Sequence, residues 1–175
     1  MNEVLKALKE RRSIRKFKAD AVPQELIDQI IEAGLYAPSG QGSQTPIIVA
    51  ITDKETRDKM AADNAAIGGW KEGFDPFYGA PVILVVLAPV ERVTRVYDGS
   101  LVMQNLMLAA HSLDLGSIWI HRAKEEFEKD EWKDLLKKLG VEGEYEGIGH
   151  CAIGYADVEA PAAAERKENR VFYVK

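Results

Sequence analysis

The segment from Asp98 to Leu113 constrains the fold most, because it has the length of a helix and is apolar on nearly every face. Its sequence is DGSLVMQNLMLAAHSL. A helix on a protein surface keeps one polar face. We therefore expect this helix to pack on two sides or to lie at a subunit interface. Gly116, shortly after the segment, is a residue type that commonly ends helices.

Hydrophobic periodicity predicts the other elements of the chain. Val171 to Val174 alternate like a strand that needs a sheet edge. No repeat and no composition shift divides the chain, so residues 1–175 are expected to form one layered domain. The expected fold class is α+β, with a central mixed, largely antiparallel sheet of four to five strands flanked by helices. Further helices are expected over residues 3–11, 23–37, 53–66 and 124–139, and strands over residues 47–52, 82–88, 117–121 and 149–156.

The composition limits the class of protein. With 175 residues, of which 46% are hydrophobic and 29% charged, the chain is globular rather than disordered. Cys151 is the only cysteine, which excludes an intrachain disulfide and favours a reducing compartment. The three histidines lie far apart and match no metal-ligand spacing, so no metal is expected. The longest apolar run, Pro81 to Val90, is shorter than a membrane span. We expect a cytoplasmic protein with no membrane partner.

A basic cluster follows the first predicted helix. Arg11, Arg12, Ser13 and Arg15 bring three guanidinium groups and a hydroxyl together, a donor set that suits a phosphate monoester. Residues 1–18 carry +5, and because the whole chain carries −5, the other residues carry −10. That negative balance disfavours nucleic acid and favours a compact anionic ligand. The alternative is a solvated, charged surface patch.

A second candidate is the Ser-, Gly- and Pro-rich loop between the second helix and the first strand. Pro38 to Gln44 offers backbone amides, hydroxyls and amide side chains, and its glycines allow a flat ligand to approach closely. A simple connector is the alternative. The aromatic loop from Trp70 to Tyr78 also has two interpretations: its rings form a mobile wall over a ligand, or they pack as in an ordinary loop.

Several motifs in order along almost the whole chain resemble the FMN-dependent nitroreductase family. They are RRSIRKF, APSGQGSQ, DPFYGAP, QNLMLAAHSLDLGSIWIHR, AIGYAD and ERKENRVFYVK. The resemblance implies a nitroreductase-like fold whose C-terminal strand is exchanged between the subunits of a homodimer. It places the helix of residues 98–113 in the dimer core and Val171 to Val174 on the partner's sheet.

The resemblance also implies which residues bind FMN. The basic cluster and a C-terminal basic pair would contact the phosphate, the loop after Pro38 would cover the flavin of the other subunit, and the end of a strand would line the flavin ring. By position these residues are Arg11, Arg12, Ser13, Arg15, Pro38, Ser39, Gly40, Gln44, Trp119, Ile120, His121, Arg122, Arg166 and Lys167. Lys71 is a further candidate for a contact with the edge of the flavin ring.

The activity implied is an FMN-dependent NAD(P)H oxidoreductase. NADH or NADPH would give a hydride to flavin N5, and a small electron-poor acceptor such as a nitroaromatic or quinone would then take it in ping-pong order. No catalytic side chain is obligatory, because the cofactor carries the redox chemistry. Two alternatives remain: a flavin carrier or sensor without turnover, and a specialised branch such as a flavin reductase or reductive dehalogenase.

The chain departs from the family pattern in the loop after Pro38. Gly42 stands where many relatives have Asn, and Thr45-Pro46 replaces Pro-Trp after Gln44. A contact made by that Asn is therefore missing. A dinucleotide fingerprint of the GxGxxG type is also absent from the sequence, which is consistent with transient stacking of the nicotinamide on the flavin.

Overall fold

Four strands form the centre of the structure, a computed structural model that describes residues 1–175. The sheet has the order β1-β2-β4-β3, and helices cover both of its faces. In chain order the elements are α1 (Glu3–Glu10), α2 (Gln24–Leu35), β1 (Ile47–Ile51), α3 (Lys54–Gly68), β2 (Val82–Pro89), α4 (Arg95–Ser112), β3 (Gly116–Ile120), α5 (Ala123–Phe127), α6 (Asp130–Lys138) and β4 (Tyr145–Gly154). This confirms the expected α+β class.

The prediction of a mixed sheet is wrong for this chain. Each of the three strand pairs is antiparallel, and the one parallel contact is an isolated bridge between Ser13 and Ser117. The uninterrupted apolar sequence of β2 is typical of parallel sheets, whose faces are both covered. Here β2 is antiparallel and still buried along its whole length, because helices pack on both faces of the sheet.

The two faces of the sheet carry separate hydrophobic clusters, and β2 contributes alternate residues to each. On the α2/α4 face, Leu84 and Val86 pack with Ile30 of α2 and Leu106 of α4. On the α3/α5/α6 face, the cluster contains Ile83, Val85, Met60, Phe127 and Trp132. α4 contacts α2 on one side and the sheet on the other, so the expected packing of this helix on two sides is confirmed.

The segment of residues 124–139 was expected to be one helix and is two. Lys129 is extended, with ψ of 140°, and separates α5 from α6. Phe127 and Trp132, five residues apart, would point about 140° apart on a continuous helix. The break allows both rings to be buried in the same cluster, with centroids 6.2 Å apart. Tertiary packing therefore overrides the local periodicity.

The C-terminal segment forms no strand within the chain. Residues 157–175 are exposed, and Val171 to Val174 pair with no strand of their own sheet. The expected exchange with a partner subunit thus stays a prediction. No helix of the structure combines the length and the apolarity that a membrane span requires.

Candidate cofactor site

The basic cluster lies beside the edge strand β3. The backbone N–H of Ile14 donates to the carbonyl of Ser117 at 3.1 Å, and Ser13 bridges to the same residue. Arg11 ends α1, where its N–H donates to the carbonyl of Ala7 at 2.9 Å. The first helix therefore delivers Arg11, Arg12 and Ser13 to the strand that carries Trp119 and Ile120.

The guanidinium groups of this cluster have buried, unpaired donors. Nη1 of Arg11 and Nε of Arg12 are buried and have no hydrogen-bond partner. Partial burial lowers the pKa of the Arg11 guanidinium, against a smaller opposing effect of Cys151. Nη1 of Arg12 donates to the carbonyls of Lys9 and Arg11, both at 2.7 Å, which fixes that side chain. Half-buried guanidinium groups that keep an unpaired donor fit an anionic group such as a phosphate.

The end of β3 leads into a turn with an unusual backbone. Trp119 and Ile120 pair with Cys151 and His150 of β4, and the chain then leaves the sheet. Arg122 has φ of 81°, in the left-handed region that favours glycine. From Ser117 to His121 the strand rises about 13 Å. The turn and the basic cluster therefore lie along one edge of the sheet.

The aromatic loop between α3 and β2 joins this edge to the rest of the site. The N–H of Phe17, just after the basic cluster, donates to the carbonyl of Tyr78 at 3.2 Å. The rings of Trp70 and Phe74 are 5.1 Å apart, and those of Phe74 and Tyr78 are 6.0 Å apart and perpendicular. Trp70 is more than half exposed, so the loop presents an aromatic surface to solvent.

The loop after Pro38 is shaped by its own contacts and by α4. Its centre is a short 3₁₀ turn over Gly40–Gly42, and Oγ of Ser39 accepts from the N–H of Gln44 at 2.8 Å. Asp98, only 3% exposed, accepts from the N–H of Gly40 at 2.9 Å and from Oγ1 of Thr94 at 2.7 Å. Sequence reasoning missed this anchor, although a carboxylate at the start of an apolar helix was a signal for it.

The loop and the basic cluster contact α4 at different points. The loop is held by Asp98, whereas Ser117, beside the cluster, lies 3.5 Å from the carbonyl of Met107. Nine residues of helix separate these points, about 14 Å of rise. Arg166 and Lys167 lie on the exposed tail, where Arg166 bonds only to the nearby carbonyl of Ala164. The cluster and the β3 turn thus lie along one strand, the loop after Pro38 is held at the other end of α4, and the C-terminal basic pair lies on the exposed tail.

Three buried polar side chains near the β3 turn were also missed as site residues. Nδ2 of Asn64 donates to the carbonyl of His121 at 2.8 Å. His150 and Glu126 are fully buried and contact each other. The sequence places these residues on predicted helices and a predicted strand, but it does not predict their contacts, because each contact joins two elements that are distant in the sequence. Lys71 lies on the exposed aromatic loop, and no contact assigns it to the turn.

The chain belongs to the nitroreductase family. Residues 8–155, which include the basic cluster, the loop after Pro38 and all four strands, match the sequence profile of that family. The family assignment agrees with the resemblance of the sequence motifs.

Individual proteins give the same result. A crystal structure of a nitroreductase with bound FMN from Bacteroides fragilis superposes with a TM-score of 0.90 at 26% identity, over 100% of both chains. An NADH dehydrogenase/NAD(P)H nitroreductase of Methanothermobacter thermautotrophicus is 35% identical over 67% of this chain and 60% of its own length. An FMN reductase of Bacillus subtilis is 38% identical over 53% of this chain and 34% of its own. The chain therefore spans only about a third to three fifths of these two curated relatives.

Proposed function

We propose that the protein is an FMN-dependent NAD(P)H oxidoreductase. The observation that carries the proposal is the pair of unpaired buried nitrogens on Arg11 and Arg12, beside the strand that ends at Trp119 and Ile120. The names of the similar proteins, which include nitroreductase and FMN reductase, support the same activity.

Two groups of residues bind different parts of FMN. Arg11, Arg12, Ser13 and Arg15 hold the phosphate of FMN, and their charge compensates the phosphate charge. The segment Trp119 to Arg122 lies against the ring, where His121 and Arg122 supply donors for negative charge that develops on reduction. When bound, FMN supplies two-electron redox chemistry, which carries a hydride from NADH or NADPH to an electron-poor acceptor such as a nitroaromatic or quinone.

A homodimer completes the proposed site. The loop after Pro38 and the basic cluster are separated within one chain, so we assign the loop, with Pro38, Ser39, Gly40 and Gln44, to the flavin of the other subunit. The apolar side chains of α1 support an interface, because that helix has a strong apolar stripe and no buried residue. On the neighbouring α4, Tyr97 and Leu101 are also exposed.

The C-terminal arm has a role in the same proposal. Residues 1–175 act as one FMN-binding unit in which Val171 to Val174 add a strand to the partner's sheet, so that Arg166 and Lys167 reach a phosphate. The exposed, apolar and alternating sequence of this arm supports the exchange. A reducing, cytoplasmic location suits the single buried thiol, Cys151.

Binding of FMN tests the phosphate assignment. Arg15→Ala should weaken FMN binding by about tenfold or more, since charge-assisted bonds to a phosphate contribute about 1.5–3 kcal/mol each. Lys18→Ala is the matched control, because it removes one nearby exposed charge outside the cluster. Flavin fluorescence gives both dissociation constants. Equal affinities for the two variants would count against the assignment.

The absorption spectrum tests turnover. We expect the visible flavin band of the wild-type protein to bleach anaerobically on addition of NADH or NADPH, and to return when a quinone or nitroaromatic is added. A flavin band that neither nucleotide bleaches would instead indicate a carrier or sensor, and a protein that takes up no FMN would contradict the proposed function altogether.

A further inference from the structure

At the end of β3 and in the turn that follows it, two consecutive carbonyl groups each meet a side chain from another element. The carbonyl of Ile120 lies 3.3 Å from Nδ1 of His150 on β4, the distance of a long hydrogen bond from a protonated nitrogen. The carbonyl of His121 accepts from Nδ2 of Asn64 on α3 at 2.8 Å. Arg122 is the N-cap of α5, and its carbonyl accepts the first hydrogen bond of that helix, from the N–H of Glu126 at 3.1 Å. The turn is thus held by side chains of β4 and α3 and continues directly into α5.

Burial makes two of these contacts hard to replace. Asn64 is 2% exposed, and His150 and Glu126 are fully buried. Nε2 of His150 contacts Oε2 of Glu126, and the other face of the imidazole meets the ring of Phe77, with centroids 5.2 Å apart. All three side chains are thus shielded from bulk solvent. Glu126 contacts Nε2 of the imidazole, and Nδ1 faces the carbonyl of Ile120.

The backbone of the turn needs this support. Arg122 adopts φ of 81° without being a glycine, a conformation that persists only where surrounding contacts enforce it. Gly147 of β4 also lies so close to α5 that a Cβ there would be 2.2 Å from the carbonyl oxygen of Ala123. Close backbone packing and buried donors together hold His121 and Arg122 in one geometry.

We propose that Asn64 and the buried pair of His150 and Glu126 are positioning residues that hold the His121–Arg122 turn against the ring of the bound flavin. They act through the backbone of the turn and do not themselves touch the cofactor. This inference rests on the proposed function, since it concerns the ring end of the same FMN site. A rigid supporting shell of this kind determines how well a site is preorganised.

The test compares two ligands, FMN and riboflavin, which share the ring and differ in the phosphate. Asn64→Ala should weaken both by the same factor, roughly fivefold to tenfold, because the change affects only the ring end. Asn105→Ala is the matched control: Nδ2 of Asn105 donates to the carbonyl of Ala33 at 2.9 Å, but on the α2/α4 face. It should lower the melting temperature by a similar amount and leave both affinities within about twofold.

A second variant covers the buried pair. His150→Phe combined with Glu126→Leu replaces both partners by apolar groups, which avoids an orphaned buried charge and favours folding. It should also weaken FMN and riboflavin equally, and it should shift the visible absorption band of bound flavin, which a purely structural role would not change.

The outcomes separate this inference from the proposed function. If Asn64→Ala and the double variant both bind FMN and riboflavin with unchanged affinity, the positioning role is overturned. A loss of FMN affinity alone in Arg15→Ala would still support the phosphate site. An Arg15→Ala variant that weakens riboflavin as much as FMN would instead overturn the phosphate assignment and leave the positioning role standing. If the wild-type chain bound neither ligand, both would fail.

Discussion

The two faces of the sheet achieve burial in different ways. On the α2/α4 face two polar side chains, Asp98 and Ser117, are buried beside the apolar cluster, which also encloses the thiol of Cys151. On the α3/α5/α6 face four polar or charged residues are buried among the apolar ones, namely Arg57, Asn64, Glu126 and His150. Asp98 on the first face anchors the loop after Pro38, whereas Asn64 and His150 on the second contact the backbone of the proposed flavin turn.

The largest effect is expected from the buried pair on the α3/α5/α6 face. Glu126→Ala leaves a cavity and a buried imidazole without its partner, and should lower the free energy of unfolding by about 3–5 kcal/mol. Urea unfolding of the variant measures this loss. The variant with both residues made apolar should recover most of it, so equal instability of the single and double variants would contradict the pairing.

On the α2/α4 face, the free energy of unfolding should depend on the volume of the buried side chains. Leu106→Ala removes a fully buried side chain and should cost about 3 kcal/mol. Gly34 faces the same side chain, because a Cβ there would lie 2.6 Å from Cδ2 of Leu106. Gly34→Ala should therefore be destabilising alone and nearly harmless in the Leu106→Ala background. Additive losses in urea unfolding would show that the two helices adjust independently.

The thiol gives the α2/α4 face a pH dependence of its own. Burial raises the pKa of Cys151 from 9.0 to about 12, partly offset by Arg11. The folded state then holds a proton that the unfolded chain releases, so this contribution is complete below pH 9 and is lost between pH 9 and 12. From pH 9 to 10 the free energy of unfolding should fall by about 1 kcal/mol more than in Cys151→Ala. Parallel pH profiles would contradict the shift.

The smallest effect should be a gain at the proposed flavin turn. Arg122→Gly removes the cost of a left-handed backbone at a non-glycine residue and should raise the free energy of unfolding by about 0.5–1 kcal/mol. The lost ion pair with Glu125 is partly exposed and contributes little. Thermal unfolding measures the gain. A lower melting temperature would mean that the Arg122 side chain contributes more than its backbone costs.

The elements of the α2/α4 face can be predicted from the sequence more completely than those of the α3/α5/α6 face. Periodicity locates α4 and β2, because burial there follows from apolar residues alone. The start of α3 also agrees with the predicted helix of residues 53–66, because Asp53 is its N-cap and the carboxylate accepts from the N–H of Thr56 at 2.8 Å. On the other face, the break between α5 and α6 depends on where Phe127 and Trp132 can pack, which only the assembled cluster determines.

The candidate site shows the same limit. The motifs locate the basic cluster and the strand end, and the fold places both of them along β3. The anchors could not be found in this way. His150 meets Glu126 from another element, and Asp98 meets Gly40 across 58 positions of sequence. Hydrogen bonds between distant residues leave no periodic signal.

The central position of β2 also affects how the chain is made. β2 ends at Pro89, and the β4 residues that pair with it begin at Tyr145, more than fifty residues later. At about 5–20 residues per second, a ribosome would take several seconds to produce its partner. During that time only β1 is available to pair with this uncharged apolar strand, so its other edge has no partner. Pro81 and Pro89 flank this strand, and proline hinders intermolecular strand pairing, so they would protect it during synthesis.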